Sequence, residues 1–123
     1  MLIAKYTCNV SGVVPTFNNG YTYEVNEVES EGVYTVEISS EEDFTSCSFS
    51  GKSELLTVEY LKVTSNATNM NSMFKDCNNL TSLDVSNWNT GNVTSMQNMF
   101  RNCTSLTSLD ISNWDVSNVT NMF

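Results

Sequence analysis

The sequence predicts a mainly β chain with short helices: a small antiparallel β unit at the N-terminus, followed by a short solenoid of repeats. Three observations carry that expectation. Apolar and polar residues alternate in short runs through the first half, which is the pattern of half-buried strands. A 26-residue pattern recurs through the second half, as it does where supersecondary units stack. Asn, Ser and Thr number 17, 17 and 14 among 123 residues while charged residues are only 15%, a bias that suits turns and polar ladders better than a helical bundle. Hydrophobic residues at 40% and aromatics at 11% are enough for a packed interior.

The strands come first in order. In residues 2–10, Leu2, Ala4, Tyr6, Cys8 and Val10 fall on one face by period two. After the turn residues Asn18-Asn19-Gly20, the residues Tyr21, Tyr23 and Val25 repeat the alternation, and after Glu31-Gly32 it returns in Tyr34, Val36 and Ile38. Cys47 and Phe49 alternate with Ser46 and Ser48 before Ser50-Gly51, which makes a fourth short strand. Glu24 and Glu37 then belong to the wet face of an antiparallel unit.

The repeats occupy the rest. Residues 80–105 read LTSLDVSNWNTGNVTSMQNMFRNCTS and residues 106–123 read LTSLDISNWDVSNVTNMF, with twelve identities over those eighteen positions at an offset of 26. Residues 66–79 match the register of residues 92–105, and Leu55, Val58, Tyr60 and Val63 match Leu80, Leu83, Val85 and Trp88 if one residue is missing opposite Gly91. Residues 55–79 are therefore read as a degenerate first repeat, the atypical cap that stacked repeats require. The chain divides accordingly into a β anchor or capping domain, residues 1–54, and about two and a half repeats, residues 55–123. Within a repeat, Leu80, Leu83 and Val85 suit a short strand. Met96, Met99, Phe100 and Cys103 sit at i, i+3, i+4 and i+7, one face of a helix that Thr94 or Ser95 could cap, and Met70, Met73, Phe74 and Cys77 repeat that spacing. Trp88 with Trp114, Phe74 with Phe100 and Cys77 with Cys103 form a structural ladder, with Asn87 over Asn113 and Asn92 over Asn118 as polar ladders for the loops.

These residues carry a resemblance. The pattern LTSLDVSNWNTGNVTSMQNMFRNC is similar to the 26-residue repeat of bacterial surface proteins, the BspA-like leucine-rich repeat group, over residues 66–123 and more weakly over residues 55–65. The resemblance implies a right-handed leucine-rich-type solenoid that binds or displays and does not catalyse, as in surface adhesins and lipoproteins. The stretch SGVVPTFNNGYTYEV more loosely resembles leader domains of phage and gut-bacterial repeat proteins.

Charge and composition narrow the function. A net charge of −9, from 14 acidic against 5 basic residues, leaves no surface able to neutralise a run of phosphates, so nucleic acid is excluded as a principal partner. No apolar run approaches the roughly 20 residues of a membrane span, and MLIAKYTCNV lacks the basic-then-apolar order of a secretory signal. With no His and no CxxC among Cys8, Cys47, Cys77 and Cys103, the usual zinc sets are missing and no metal or cofactor is expected. The cysteines read first as buried thiols, with Cys8 and Cys47 the pair better suited to a bridge if one exists. Glu41, Glu42 and Asp43 lack the alternating ligands and Gly of a calcium loop and read as a solvated turn. The sequons at Asn66, Asn92 and Asn118 fall at the repeat register, so the fold explains them.

The expected role is a non-enzymatic structural and attachment module. In one reading it is a bacteriophage virion appendage or fibre-type protein, anchored by residues 1–54 and displaying the repeats; in the other it is a bacterial cell-surface adhesin of the BspA-like group. Either places it on a virion or cell surface, with a protein or surface glycan as ligand and other subunits, a second copy included, as partners. A hydrolase or lyase with paired acids is the third class, and no organised site supports it. Candidate binding residues are Thr81, Ser82, Asp84, Asn89 and Asp115, which the repeat leaves exposed. At the far end, Phe123 falls opposite Gln97, so the third coil stops before counterparts of Met99, Phe100 and Cys103. The expectation is a longer protein, or packing of Met122 and Phe123 against another subunit.

Overall fold

A computed structural model describes residues 1–120. The expectation for Met122 and Phe123 therefore lies outside the described residues. Seven strands form along them: β1 (Leu2–Cys8), β2 (Thr16–Phe17), β3 (Glu24–Ser30), β4 (Val33–Ser39), β5 (Cys47–Ser48), β6 (Leu55–Leu61) and β7 (Ser82–Leu83). Five make one sheet in the order β3-β4-β1-β6-β7, and β2 pairs with β5 separately. The pairs β3–β4, β4–β1 and β1–β6 are antiparallel, whereas β6 and β7 are parallel, with Thr57 opposite Ser82 and Val58 opposite Leu83.

Local chemistry explains the pairings. Glu31 and Gly32, with φ of 51° and 80°, form the two-residue turn that joins β3 to β4, because two successive positive φ values give a type I′ turn whose twist matches that of the flanking strands. On β1, alternation turns Ala4, Tyr6 and Cys8 into the core, opposite Ile38, Val36 and Tyr34 of β4. Leu2 and Val10, expected on the same face, are exposed, because a register irregularity between Leu2 and Ala4 turns Ile3 inward and the strand ends at Cys8. The opposite face is wet, with Lys5 between Glu37 at 4.0 Å and Glu59 at 3.5 Å and the Thr7 and Thr57 hydroxyls 2.6 Å apart. Tyr6 is buried edge-on against Phe49, its hydroxyl donating to the Val13 carbonyl at 2.6 Å.

One correction concerns the fold class. Among the described residues the chain is all β, with no helix, and its repeats do not form a closed leucine-rich-type solenoid. From residue 62 to 120 the only regular strand is the two-residue β7. The segments expected as helices, around Met70–Cys77 and Met96–Cys103, are successive turns. Ser72, Asp76, Asn98 and Asn102 take φ of 56°, 61°, 57° and 62°, and each left-handed residue prevents the i to i−4 bonds a helix needs. What remains are short bonds such as Met99 N–H to the Met96 carbonyl and Cys103 N–H to the Phe100 carbonyl. Thr94 caps no helix, since its hydroxyl joins its N–H in donating to the Thr68 carbonyl, at 3.2 and 2.9 Å.

The backbone groups a helix would have paired internally pair between repeats instead. Met70, Ser72, Phe74 and Asp76 donate their N–H groups to the carbonyls of Ser95, Gln97, Met99 and Arg101 at 2.8 to 2.9 Å. Phe49 and Gly51 donate in the same way to Met73 and Lys75 at 2.6 and 2.8 Å. One buried cluster runs from Ile3 on β1 to Met99 in the turns. Its spine is aromatic: Phe49, Phe74 and Phe100 stack at centroid distances of 5.7 and 6.0 Å, with Trp88 on Trp114 at 5.5 Å beside them.

Candidate binding surfaces

Two surfaces stand out: the exposed polar face of the repeats and the apolar end of the stack. Thr81, Ser82, Asp84, Asn89 and Asp115 are all exposed. The side-chain oxygens of Asp84, Asn89 and Asp115, however, are engaged locally. Asp84 Oδ1 accepts from the Ser86 N–H at 3.0 Å and hydroxyl at 2.7 Å, Asn89 Oδ1 from the Gly91 N–H at 3.1 Å, and Asp115 Oδ1 from the Ser117 N–H at 2.9 Å. These are Asx turns, in which a short carbonyl-bearing side chain fixes the backbone two residues on. The hydrogen bonds from Ser86, Ser112 and Ser117 hold the Asp84, Asp110 and Asp115 carboxyls below their ordinary value. The row is thus a rigid set of carboxylates and amides at the repeat spacing.

The Asn ladder also builds the structure. Asn92 Nδ2 donates to the Ser65 carbonyl at 2.8 Å and Asn118 Nδ2 to the Gly91 carbonyl at 2.6 Å, so the sequon amides at these positions tie one repeat to the next. Cys8, Cys47 and Cys77 are buried free thiols and Cys103 is a half-buried one. Cys77 Sγ donates to the Phe49 carbonyl at 3.2 Å and Cys103 Sγ to the Phe74 carbonyl at 2.9 Å, which gives the repeated cysteine a structural task. Burial pushes the Cys8 and Cys77 thiols up to about 12, and Cys47 and Cys103 upward as well, which disfavours the thiolate form at each. Asp43, in the acidic turn, pairs with Lys62 at 3.0 Å. Among the described residues no three His, Cys, Asp or Glu side chains gather as a metal would require, and no helix is long and apolar enough to cross a membrane.

Thr90 is a residue that sequence reading missed. Buried between two repeats, its hydroxyl accepts from the Asp115 N–H at 2.9 Å and donates to the Asp115 carbonyl at 3.1 Å. Its counterpart in the next repeat is Val116, so periodicity hid it.

At the far end of the stack the aromatic spine meets a cavity of about 470 Å³, lined chiefly by Met96, Met99, Phe100, Ile111, Trp114 and Val116. Ile111 and Val116 are 46% and 45% exposed, so the spine ends in an open apolar surface. Trp88 Nε1 and Trp114 Nε1 have no hydrogen-bond partner among the described residues.

A sheet base carrying polar rows in register and an aromatic spine defines a repeat-type protein. A family model described as "Mycoplasma protein of unknown function, DUF285" matches residues 42–123, two thirds of the chain, and the chain belongs to that family. No curated protein and no solved structure matches it.

Proposed function

We propose that this chain is a non-enzymatic attachment module on a microbial surface, anchored by the strands of residues 1–54 and displaying the repeats that follow. The observation that carries this reading is the exposed polar row. Asp84 and Asp110, Asn92 and Asn118, and Thr94 and Thr120 recur 26 residues apart, and their hydrogen bonds hold backbone rather than assemble an acid, a base and a nucleophile about one point. Such a row offers repeated polar contacts to a protein or surface glycan, where several weak contacts add by multivalency. Of the two carriers, a bacterial surface protein akin to the BspA-like group has the specific support, since the matching family is described from a bacterial genus. A virion appendage remains the second carrier and rests on the sequence resemblance of the leader segment.

Antibody raised against the folded chain tests the reading. Labelling of intact cells or intact particles, without lysis, is the expected result. Labelling that appears only after the envelope is broken would overturn it. Labelling of particles but not of cells would move the assignment to the virion.

A further inference from the structure

In the first half of the chain, Phe17, Tyr21 and Tyr23 meet in a surface cleft. Between ring centroids Phe17 lies 4.8 Å from Tyr21 and 4.9 Å from Tyr23, Tyr21 and Tyr23 stack at 6.1 Å, and Phe17 rests on the buried Phe44 at 5.7 Å. Tyr23 is 38% exposed, so the group ends in an accessible ring. The turn between the rings is fixed on both sides: the Asn18 N–H donates to the Ser46 carbonyl at 3.2 Å, Asn18 Oδ1 accepts from the Thr45 N–H at 2.8 Å, and the Tyr21 N–H closes on the Asn18 carbonyl at 3.1 Å. Gly20, with φ of 77°, supplies the positive φ required at the third residue of such a turn. Pairing of β2 with β5 brings the turn at Lys52 to the same place, where the rings, Asn19 and Lys52 line an open cavity of about 440 Å³. That volume is within the range of small-molecule sites.

The polar groups of the cleft are unspent. Although the chain carries 14 acidic residues and a net charge of −9, none of the residues lining this cavity is acidic. Lys52 has no carboxylate partner among the described residues, whereas Lys5 and Lys62 each have one or more. The Tyr21 hydroxyl donates to the Glu42 carbonyl at 2.6 Å, but among the described residues the Tyr23 hydroxyl and the Asn19 side-chain amide have no hydrogen-bond partner. We propose that this cleft binds a saccharide bearing a carboxylate, a hexuronate unit of a longer glycan. The electron-rich faces of the tyrosine rings suit the C–H face of a pyranose. Asn19 and the Tyr23 hydroxyl can both donate to and accept from sugar hydroxyls, and the Lys52 ammonium gives the carboxylate a charge-assisted hydrogen bond.

A proline-rich peptide also docks on aromatic side chains, but it needs a groove that follows several turns of an extended helix. Here the three rings converge into one platform with polar groups at its rim, which fits a single sugar ring. An open cleft also leaves the remaining sugar hydroxyls in water, so they need no protein partner. The site is separate from the polar row of the repeats. It rests on the surface reading above only for where the glycan lies, and there it gives residues 1–54 a chemical means of anchorage.

Saturation-transfer NMR on the full chain tests this, with a galacturonate tetrasaccharide as probe and a neutral galactose tetrasaccharide and a proline decamer as comparisons. The acidic saccharide should receive saturation from the aromatic protons and bind about tenfold more tightly than the neutral one. Lys52→Gln should remove that preference, and Tyr23→Ala should abolish transfer to both saccharides. Tyr23→Phe keeps the ring, so it should retain transfer and guard against a folding defect in the Ala variant. The proposal is overturned if the acidic saccharide receives no saturation, if the two saccharides bind equally, or if Lys52→Gln and Tyr23→Ala leave binding unchanged. Binding of the proline decamer in place of the saccharide would also overturn it, by assigning the cleft to a peptide. Because this is read on the purified chain and surface exposure on intact cells or particles, the two readings fail separately.

Discussion

Trp88 is only 6% exposed, stacked between Phe74 at 6.3 Å and Trp114 at 5.5 Å. Removing its indole takes away both stacking contacts and leaves a cavity between repeats, so Trp88→Ala should lower stability by about 3 to 5 kcal/mol in denaturant titration. Trp88→Phe should cost less, because it keeps a ring in the column and removes an N–H that has no partner. An unchanged melting temperature in the Ala variant would contradict a packed spine. Cys77 makes a second prediction at this scale. Its thiol is raised by burial from an ordinary value near 9 to about 12, so between these values the unfolded chain releases a proton that the folded chain keeps. Its contribution to stability is whole below pH 9 and declines as pH rises toward 12. Melting temperatures measured across that window should fall less steeply in Cys77→Ala, and thiol reagents should modify Cys77 slowly at neutral pH.

At the scale of the element, the turn arcs decide what the repeats are. Ser72 has φ of 56°, a conformation that costs an L-residue about 1 to 2 kcal/mol and costs glycine nothing sterically. Ser72→Gly should therefore stabilise the chain, by up to about 1 kcal/mol after glycine's greater unfolded entropy is subtracted. Were the segment a helix, the same change would destabilise it by about 0.5 to 1 kcal/mol, so the sign of the change distinguishes the two. Circular dichroism of the wild-type chain should likewise lack the double minimum of helix. The apolar spacing of Met96, Met99, Phe100 and Cys103 misled because a run of turns also brings every third or fourth residue inward. The signal pointing the other way was Asn98 and Asn102, with Asp76 a repeat earlier, since Asn and Asp tolerate left-handed backbone.

Over the whole molecule, β6 joins the two halves. Pairing antiparallel with β1 and parallel with β7, it places Leu55, Val58 and Leu61 in the same core as Tyr6 and Phe74. Thermal unfolding of the full chain should be one transition, with calorimetric and van't Hoff enthalpies in agreement. Residues 1–54 alone would lack those three side chains and leave β1 with an open edge, and they should show no cooperative transition. Two separate transitions in the full chain would mean that the sheet and the repeats do not share one core.

The sequence by itself determined the register of this protein. Period two located the face of β1 bearing Ala4, Tyr6 and Cys8, the 26-residue offset paired Trp88 with Trp114 and Phe74 with Phe100, and the same pattern with one residue missing paired Val58 with Leu83. Register is written in which residues are apolar, and burial follows directly from that. The tertiary structure alone decided where the backbone bonds go. Whether the Phe74 N–H closes a helix or crosses to Met99 depends on φ at Ser72 and Asp76 and on a neighbouring repeat waiting 2.9 Å away. It also decided their direction: Phe74 and Asp76 donate to the following repeat, whereas Thr81, Asp84 and Thr94 donate to the preceding one. Apolar periodicity carries no information about the direction of a peptide dipole, which is set only when repeats are laid side by side.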